Sequence, residues 1–260
     1  MLFSFNSVSF PSNVHARLII IFTLLLPTVF CSPCDAKDEP KESIATNNEL
    51  ETLNKIKEAA KSGDVKAQLL LGTLHYEGWG LRQDYKVAVE WLKKAAEQGN
   101  KDAETYLGIA YSEGHGVPKD DKVAAKWFTK AAKKGQQSAQ HLLGSCYYSG
   151  TGVPKNIQKA VEWYTKAAQQ GDALSQYNLG VIYFEGEMIP QDYQEAIKWF
   201  SKAAEQGHVD AQYNLAYMHR FGIGVPKDEK KAMDWLTKAA ERGDENAQHN
   251  LHAMEKKKRK

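Results

Sequence analysis

Histidine and cysteine are the side chains with the widest chemical range in this chain, and both are scattered along it. The 260 residues include eight histidines and three cysteines. His249 and His252 would share one face of a helix, a spacing at which two imidazoles can hold a metal ion. No cysteine or carboxylate cluster joins them at metal-ligand spacing. We therefore interpret the pair as surface or end-cap histidines and predict no metal site.

The motifs that would indicate an enzyme are absent from the sequence. No serine is followed three residues later by lysine, as in the serine penicillin-binding enzymes. There is no His-Glu-x-x-His zinc motif, and Gly-x-Gly pairs such as Gly150 and Gly152 lack the Gly-Lys-Ser/Thr that would complete a phosphate-binding loop. The sequence therefore predicts a protein that is not an enzyme and that binds no cofactor.

The glycine pairs belong instead to a unit that is repeated along the chain. The stretch GHGVPKDDKVAAKWFTKAAKKG, which begins at Gly114, returns 36 residues later as GTGVPKNIQKAVEWYTKAAQQG. Self-similarity at a fixed period of this length indicates a repeat architecture. The first glycine of each unit recurs without insertion or deletion at Gly63, Gly99, Gly135, Gly171, Gly207 and Gly243.

Each unit is predicted to contain two helices. In the third unit Ala139, Leu143 and Tyr147 follow one another at steps of four, which places them on one helical face. Gly150 and Pro154 then end that helix, because glycine tolerates a left-handed backbone and proline cannot continue a helix. A residue suited to cap the second helix follows in every unit: Asp84, Asp120, Asn156, Asp192 and Asp228.

A two-helix unit cannot bury both of its apolar stripes by itself, so neighbouring units must stack and share a continuous core. The sequence therefore predicts an all-α fold, a right-handed α-solenoid of paired antiparallel helices with 36-residue repeats. The alanines let helices approach closely, and one tryptophan per unit is expected to fill the gap between consecutive pairs. These structural core residues are Trp91, Trp127, Trp163, Trp199 and Trp235.

The recurring pattern G-D-x-x-A-Q-x-x-L-G-x-x-Y-x-x-G-x-G-V-P-x-D-x-x-x-A-x-x-W-x-x-K-A-A resembles the SEL-one-like repeat (SLR) family, which is related to tetratricopeptide arrays. Three departures, Arg82, Met188 and Ala216, are expected to alter loops locally and to leave the fold unchanged. The resemblance covers five repeats, 63–98, 99–134, 135–170, 171–206 and 207–242, with a leading half repeat over 49–62 and a capping helix over 243–255. It implies an adaptor for protein complexes and, for exported bacterial members, contact with host or envelope proteins.

One subgroup that resembles this family consists of secreted, cysteine-rich repeats described as penicillin-binding, with a disulfide in each unit. That resemblance keeps a penicillin-binding or β-lactamase-like activity open as an alternative. The disulfide pairing is absent here, because Cys31 and Cys34 lie in the N-terminal leader and only Cys146 lies in the repeats. We interpret Cys146 as a small buried thiol.

The N-terminus predicts export. Residues 18–30, LIIIFTLLLPTVF, form an apolar run that is short for a membrane span and typical of a secretory signal. We expect a signal peptide over 1–36, cleaved after Ala36, a flexible polar leader over 37–48, and a secreted or periplasmic protein from a bacterium. If the segment were retained, the protein would be a membrane-tethered assembly factor, which is the second alternative.

The charge of the chain says little about its partners. Its formal net charge is +2, and the basic tail over 256–260, KKKRK, contributes five positive charges. We interpret this tail as solvated. The sequence shows no base-stacking motif or basic stripe within the repeats, and we predict no nucleic-acid partner.

The side chains that vary between units predict the function. In a solenoid the first helix of each pair is expected to line the concave side, and the seventh, eleventh and fourteenth residues of each unit lie opposite its core stripe. Aromatic and arginine side chains carry much of the energy of protein interfaces. We therefore predict a monomeric adaptor that binds a protein or peptide in this groove. The predicted contacts are Tyr148, Tyr177, Phe184, Tyr213, Tyr217 and Arg220.

Overall fold

The computed structural model describes residues 47–187 and 189–258. The chain divides into two compact units, Met1–Glu51 and Thr52–Lys260, and only residues 47–51 of the first unit are described. All regular structure in the described residues is helical, which confirms the predicted all-α fold. The helices are α1 (Asn47–Lys61), α2 (Val65–Glu77), α3 (Tyr85–Glu97), α4 (Lys101–Glu113), α5 (Asp121–Lys133), α6 (Gln137–Ser149), α7 (Ile157–Gln169), α8 (Ala173–Glu185), α9 (Tyr193–Glu205), α10 (Val209–Phe221), α11 (Glu229–Glu241) and α12 (Glu245–Lys258).

The helices pack in chain order within the described residues of the second unit, 52–187 and 189–258. Each first helix packs against the second helix of its own repeat, and each second helix packs against the first helix of the next repeat. The five repeats therefore form the α-solenoid that their pattern predicts, because each pair of helices buries the stripe that its neighbour leaves open.

The predicted caps of the second helices are confirmed. Asp120 Oδ1 accepts hydrogen bonds from the backbone N–H groups of Lys122 and Val123 at 2.9 and 3.0 Å. These N–H groups have no partner within the helix, so the carboxylate fixes where α5 begins. Asp84, Asn156, Asp192 and Asp228 cap the other second helices with the same type of bond.

The most deeply buried large side chain of each second helix is that of the residue after the tryptophan. In the third repeat this residue is Tyr164, whose ring packs against Gly144 in the first helix. A Cβ added to Gly144 would lie 2.7 Å from Cδ1 of Tyr164, which is closer than side chains tolerate. In the fifth repeat Ala216 replaces the glycine and the smaller Leu236 replaces the ring, so both are still buried in one cluster. The equivalent buried residues elsewhere are Leu92, Phe128 and Phe200.

The tryptophans themselves lie at the margin of the core. Trp199 is buried, with 7% of its surface exposed, while the other four are half-buried. In every repeat the lysine three residues later places its Nζ over the indole ring, at 4.0–4.5 Å from the centroid. The tryptophan therefore contributes packing on one side and a cation–π contact on the other.

The second glycine of the Gly-x-Gly turn lets successive repeats approach closely. A Cβ on Gly152 would collide with the backbone carbonyl oxygen of Asp121, which begins the second helix of the preceding repeat. Only glycine fits at this distance, and its φ of 73° also favours glycine. Met188, which stands at this position in the fourth repeat, lies outside the described residues.

In the first four repeats a polar contact ties the end of the second helix to the first helix of the same repeat, and the first-helix glutamine can also bond to the preceding repeat. In the third repeat Gln170 Nε2 donates to Gln140 Oε1 at 2.7 Å, and Gln140 Nε2 donates to the carbonyl oxygen of Ala132 at 3.2 Å. The second repeat uses an ion pair in the equivalent place, where Lys134 Nζ lies 2.8 Å from Glu104 Oε1. The same site thus accepts a neutral amide pair or a charged pair.

The ends of the array differ slightly from the predicted boundaries. Helix α1 begins at Asn47, two residues before the predicted half repeat, and α12 continues to Lys258, into the predicted basic tail. The predicted signal peptide over 1–36, and residues 37–46 of the predicted leader, lie outside the described residues. Within the described ranges no helix combines the length and apolarity needed to cross a bilayer.

Candidate functional site

The six predicted contact residues lie on first helices, three of them (Tyr148, Phe184 and Arg220) in the last turn, and they differ in exposure. Tyr148, at the end of α6, is exposed at 38%. Tyr177, Phe184, Tyr213, Tyr217 and Arg220 are half-buried. Phe221, which is not among the six predicted contacts, is exposed at 56%. It occupies the fifteenth position of its repeat, where the other repeats have glutamate or serine, and that change of residue type could have identified it.

Tyr177 lies between the fourth and fifth repeats and is held there by His208. The two rings are stacked at 4.5 Å between centroids with an angle of 15°. His208 also caps α10, since its Nδ1 accepts from the backbone N–H of Ala211. Burial, and then the Asp210 carboxylate, raises the pKa of Tyr177 to about 12, and burial lowers the pKa of His208. Both groups are therefore neutral at neutral pH.

Tyr213 and Arg220 are both bonded to Asn250 of α12. Asn250 Nδ2 donates to the Tyr213 hydroxyl at 3.1 Å, and Arg220 donates to Asn250 Oδ1 at 3.1 Å. Arg220 also lies over the ring of Phe221, at 5.3 Å from its centroid. This end of the array therefore presents an exposed phenylalanine beside an oriented guanidinium group.

A cluster at the end of α2 shows how the last turns of two neighbouring first helices meet. The Tyr76 hydroxyl lies 3.0 Å from His115 Nδ1 and 3.4 Å from Glu113 Oε2, and His115 Nδ1 lies 2.9 Å from the same carboxylate oxygen. Tyr85 stacks on His115 with 4.2 Å between centroids. Tyr76 is 8% exposed, and burial followed by the Glu113 carboxylate raises its pKa. We call Tyr76, Glu113 and His115 the closed tyrosine slot.

The same three positions recur two repeats later with different residues. Tyr148 replaces Tyr76, Glu185 replaces Glu113, and Glu187 replaces His115, each at an offset of 72 residues. Burial and then the two carboxylates raise the pKa of Tyr148, and burial and then Glu187 raise the pKa of Glu185. Within the described part of the chain neither carboxylate lies within ion-pair distance of a basic group. We call Tyr148, Glu185 and Glu187 the open tyrosine slot.

One cluster has the residue types of a catalytic triad but not the geometry. His141 Nδ1 lies 2.9 Å from Ser175 Oγ and 3.2 Å from Asp172 Oδ2. In a serine triad the acid and the nucleophile contact different ring nitrogens, whereas both contact Nδ1 here, and Ser175 is fully buried. Burial acts to raise the pKa of Asp172, but the hydrogen bond and charge of His141 outweigh it and lower that pKa. The cluster therefore joins the third repeat to the N-terminus of α8 and supplies no accessible nucleophile.

Cys146 is a free, buried cysteine. Burial raises the pKa of its thiol to about 11, so the thiolate is scarce at neutral pH. In the residues that the structure describes, no group of three or more histidine, cysteine, aspartate or glutamate side chains is placed to hold a metal ion, and His249 and His252 are both exposed.

Comparison with protein families identifies the repeat. A family model described as the Sel1 repeat matches residues 65–100, 101–136, 137–172, 173–208 and 209–244. These ranges follow one another without a gap and cover more than half of the chain. A comparison with curated proteins gave no match.

Solved structures share this fold. A protective antigen present in uropathogenic Escherichia coli strains, displaying an SLR fold, is 38% identical, with a TM-score of 0.73 over 78% of this chain and 44% of that one. The chain thus spans less than half the length of the antigen. A Sel1 repeat protein from Oxalobacter formigenes is 31% identical, with a TM-score of 0.68 over 79% of this chain and 89% of that one.

Proposed function

Because this chain belongs to the Sel1 repeat family, we propose that it is a non-enzymatic adaptor that binds a protein or peptide along the ends of its first helices. Sel1 repeat proteins generally act as scaffolds for protein–protein interactions, and the fold is typically non-enzymatic. Which surface this chain uses, and for which partner, follows from the residues that differ between its repeats.

The choice of surface depends on where the exposed aromatic side chains lie. The large hydrophobic side chains that are exposed in the described residues are Leu50, Tyr148 and Phe221. Two of these three stand in the last turns of first helices, α6 and α10. Half-buried rings add to them at Phe184, in the last turn of α8, and at Tyr217, which contacts Phe221. Exposed aromatic side chains provide rigid contact area at a low cost in conformational entropy, which suits them to a protein interface. The second helices present mainly charged residues on their exposed faces.

The proposed surface is tested by photo-crosslinking from single positions. A photoreactive phenylalanine analogue replaces Tyr148 or Phe221 in the full chain, and matched controls carry it at the exposed second-helix positions Lys126 or Glu162. We expect both first-helix positions to form one discrete adduct with the same cellular protein, and the controls to form none. Equal crosslinking from all four positions would contradict the choice of surface.

The energetic contribution is tested once that protein is purified. The double variant Tyr148→Ala, Phe221→Ala is expected to weaken binding by about 1–2 kcal/mol, measured by titration calorimetry. The helical circular dichroism signal should stay unchanged, because both side chains are exposed. Unchanged affinity would show that these residues lie outside the interface.

We also propose that the protein is exported. The proposal depends on the apolar run over 18–30 and the polar stretch after it, which are typical of a secretory signal. The intact mass of the protein from its own cells should correspond to a chain that begins at Lys37, and the protein should appear in periplasmic or culture fractions. A mass that includes residues 1–36 would instead favour the membrane-tethered alternative.

A further inference from the structure

The two tyrosine slots are built from the same positions of the repeat but differ in charge. In the closed slot His115 Nδ1 lies within 3.0 Å of both the Tyr76 hydroxyl and Glu113, so one ring nitrogen links the other two groups. In the open slot Glu187 takes the place of this histidine, and two carboxylates therefore stand at positions that elsewhere hold one carboxylate and one imidazole. Two like charges repel each other, and each stabilises a cation placed between them.

The surroundings of the open slot contain little to neutralise these charges. Residues 171–189 include Asp172, Glu185 and Glu187 but no lysine, arginine or histidine. The Nζ of Lys155 lies 5.9 Å from the centroid of the Tyr148 ring, at the outer limit of a cation–π contact. Ile157 stands where Tyr85 stacks on His115 in the closed slot, so the aromatic ring that covers the histidine is also missing. The open slot therefore has the tyrosine and the carboxylate of the closed slot but lacks its histidine.

We propose that the open tyrosine slot, Tyr148 with Glu185 and Glu187, binds an arginine side chain of the protein partner. The inference rests on the proposed function, because it names one residue that the partner must supply. The 38% exposure of Tyr148 leaves ring surface on which a guanidinium group can stack. The same group offers planar pairs of N–H donors to carboxylates.

Arginine fits this site better than other cations. A lysine ammonium is a compact point charge that cannot stack on the ring and bond two carboxylates in one plane. A divalent metal ion would need more oxygen ligands than two carboxylates supply, and the described residues contain no group of three candidate ligands. A guanidinium group can both stack on the ring of Tyr148 and donate paired hydrogen bonds to Glu185 and Glu187, and this combination favours arginine.

The proposal is tested with a small probe that needs no knowledge of the partner. The full chain is labelled with 3-fluorotyrosine, the signal of Tyr148 is assigned with the variant Tyr148→Phe, and the protein is titrated with N-acetyl-arginine amide. We expect a saturable shift of the Tyr148 signal at millimolar probe. The neutral isostere N-acetyl-citrulline amide should shift it at least about fivefold less, because it lacks the charge.

Variants of the slot separate the contributions of charge and position. Glu185→Gln with Glu187→Gln should weaken the arginine probe about tenfold, while the matched control Glu162→Gln, on the exposed face of α7, should leave it unchanged. Glu187→His places the closed-slot residue beside Tyr148 and should also abolish the response. Each of these variants alters an exposed or half-buried position, so we expect the fold to be retained. The signals of the remaining tyrosines check this directly.

Two results would overturn the inference: an equal response to the arginine and citrulline probes, or an unchanged response in the double glutamine variant. Failure here is distinguishable from failure of the adaptor proposal. A chain that crosslinks its partner from Tyr148 and Phe221 but ignores the arginine probe retains the function and loses the arginine site. A chain that binds the arginine probe but yields no partner adduct retains the arginine site and contradicts the adaptor function.

Discussion

The ion pair between Glu104 and Lys134 gives the sharpest test of how the two helices of a repeat are joined. Glu104 is almost fully buried, with 4% of its side chain exposed, whereas 40% of the Lys134 side chain is exposed. The second carboxylate oxygen of Glu104, Oε2, is buried and has no hydrogen-bond partner within the described residues. The cost of breaking the pair is therefore asymmetric. Removing the lysine leaves a buried carboxylate without its partner, whereas removing the glutamate leaves an ammonium group that is already partly exposed to water.

The expected magnitudes follow from that asymmetry. Breaking a buried ion pair by removing one partner costs about 3–5 kcal/mol, and the exposure of Lys134 reduces this to about 1–3 kcal/mol for Lys134→Met. Glu104→Gln should cost less than about 1 kcal/mol, because the remaining lysine can turn into water. The double variant Glu104→Gln, Lys134→Gln recreates the amide pair of Gln140 and Gln170, and we expect it to lie within about 0.5 kcal/mol of the parent.

Urea unfolding followed by circular dichroism measures these differences in the free energy of unfolding. Lys126→Met serves as the matched control, since Lys126 is an exposed lysine of the same repeat, and its effect should stay within about 0.5 kcal/mol. The reasoning fails if Lys134→Met is no more destabilising than this control. It also fails if the double glutamine variant is as unstable as Lys134→Met, because the neutral pair would then not substitute for the charged one.

Three further predictions concern the core, an inter-repeat contact and the cysteine. Gly180→Ala should destabilise the fold by about 1–3 kcal/mol in urea, because the new Cβ would lie 2.5 Å from the Phe200 ring, and adding Phe200→Leu should recover part of the loss. Asp172→Asn keeps a capping oxygen but loses the charge contact with His141. Because the pKa of Asp172 is lowered in the folded protein, its charge stabilises the fold fully above the ordinary aspartate pKa of about 4. This stabilisation is lost as the pH falls through the pKa of the folded state. The free energies of unfolding of the parent and of Asp172→Asn should therefore differ at pH 6 and converge near pH 2. Cys146, whose pKa burial raises to about 11, should resist iodoacetamide at pH 8 until urea unfolds the chain, as read by peptide mass spectrometry; rapid labelling of the folded protein would contradict this.

The helices and their caps were predictable because they depend on local spacing that occurs in every repeat. Asp120 caps α5 through two backbone N–H groups only two and three residues away, and Gly150 ends α6 by its own left-handed backbone. Such short-range effects are repeated five times in this chain, so the pattern was recognisable without an alignment.

The depth of side chains within the core was harder to predict. Tryptophan is the most prominent residue of the pattern, yet the position after it, such as Phe200 or Tyr164, is the more deeply buried one. The two positions differ by about 100° around the helix, and both belong to the apolar stripe. Only the packing of the neighbouring helix, with its glycine at position 144 or 180, decides which of them points to the centre.

The sequence by itself determined the repeat length, the order of the helices and their ends, because these depend on residues that lie a few positions apart. The tertiary structure decided which aromatic rings are exposed and which charged groups meet. Tyr76 and Tyr148 occupy the same position of their repeats, but one is buried against His115 while the other is open beside Glu185 and Glu187. That difference depends on residues 37 and 39 positions away, which only the stacking of one repeat on the next brings together.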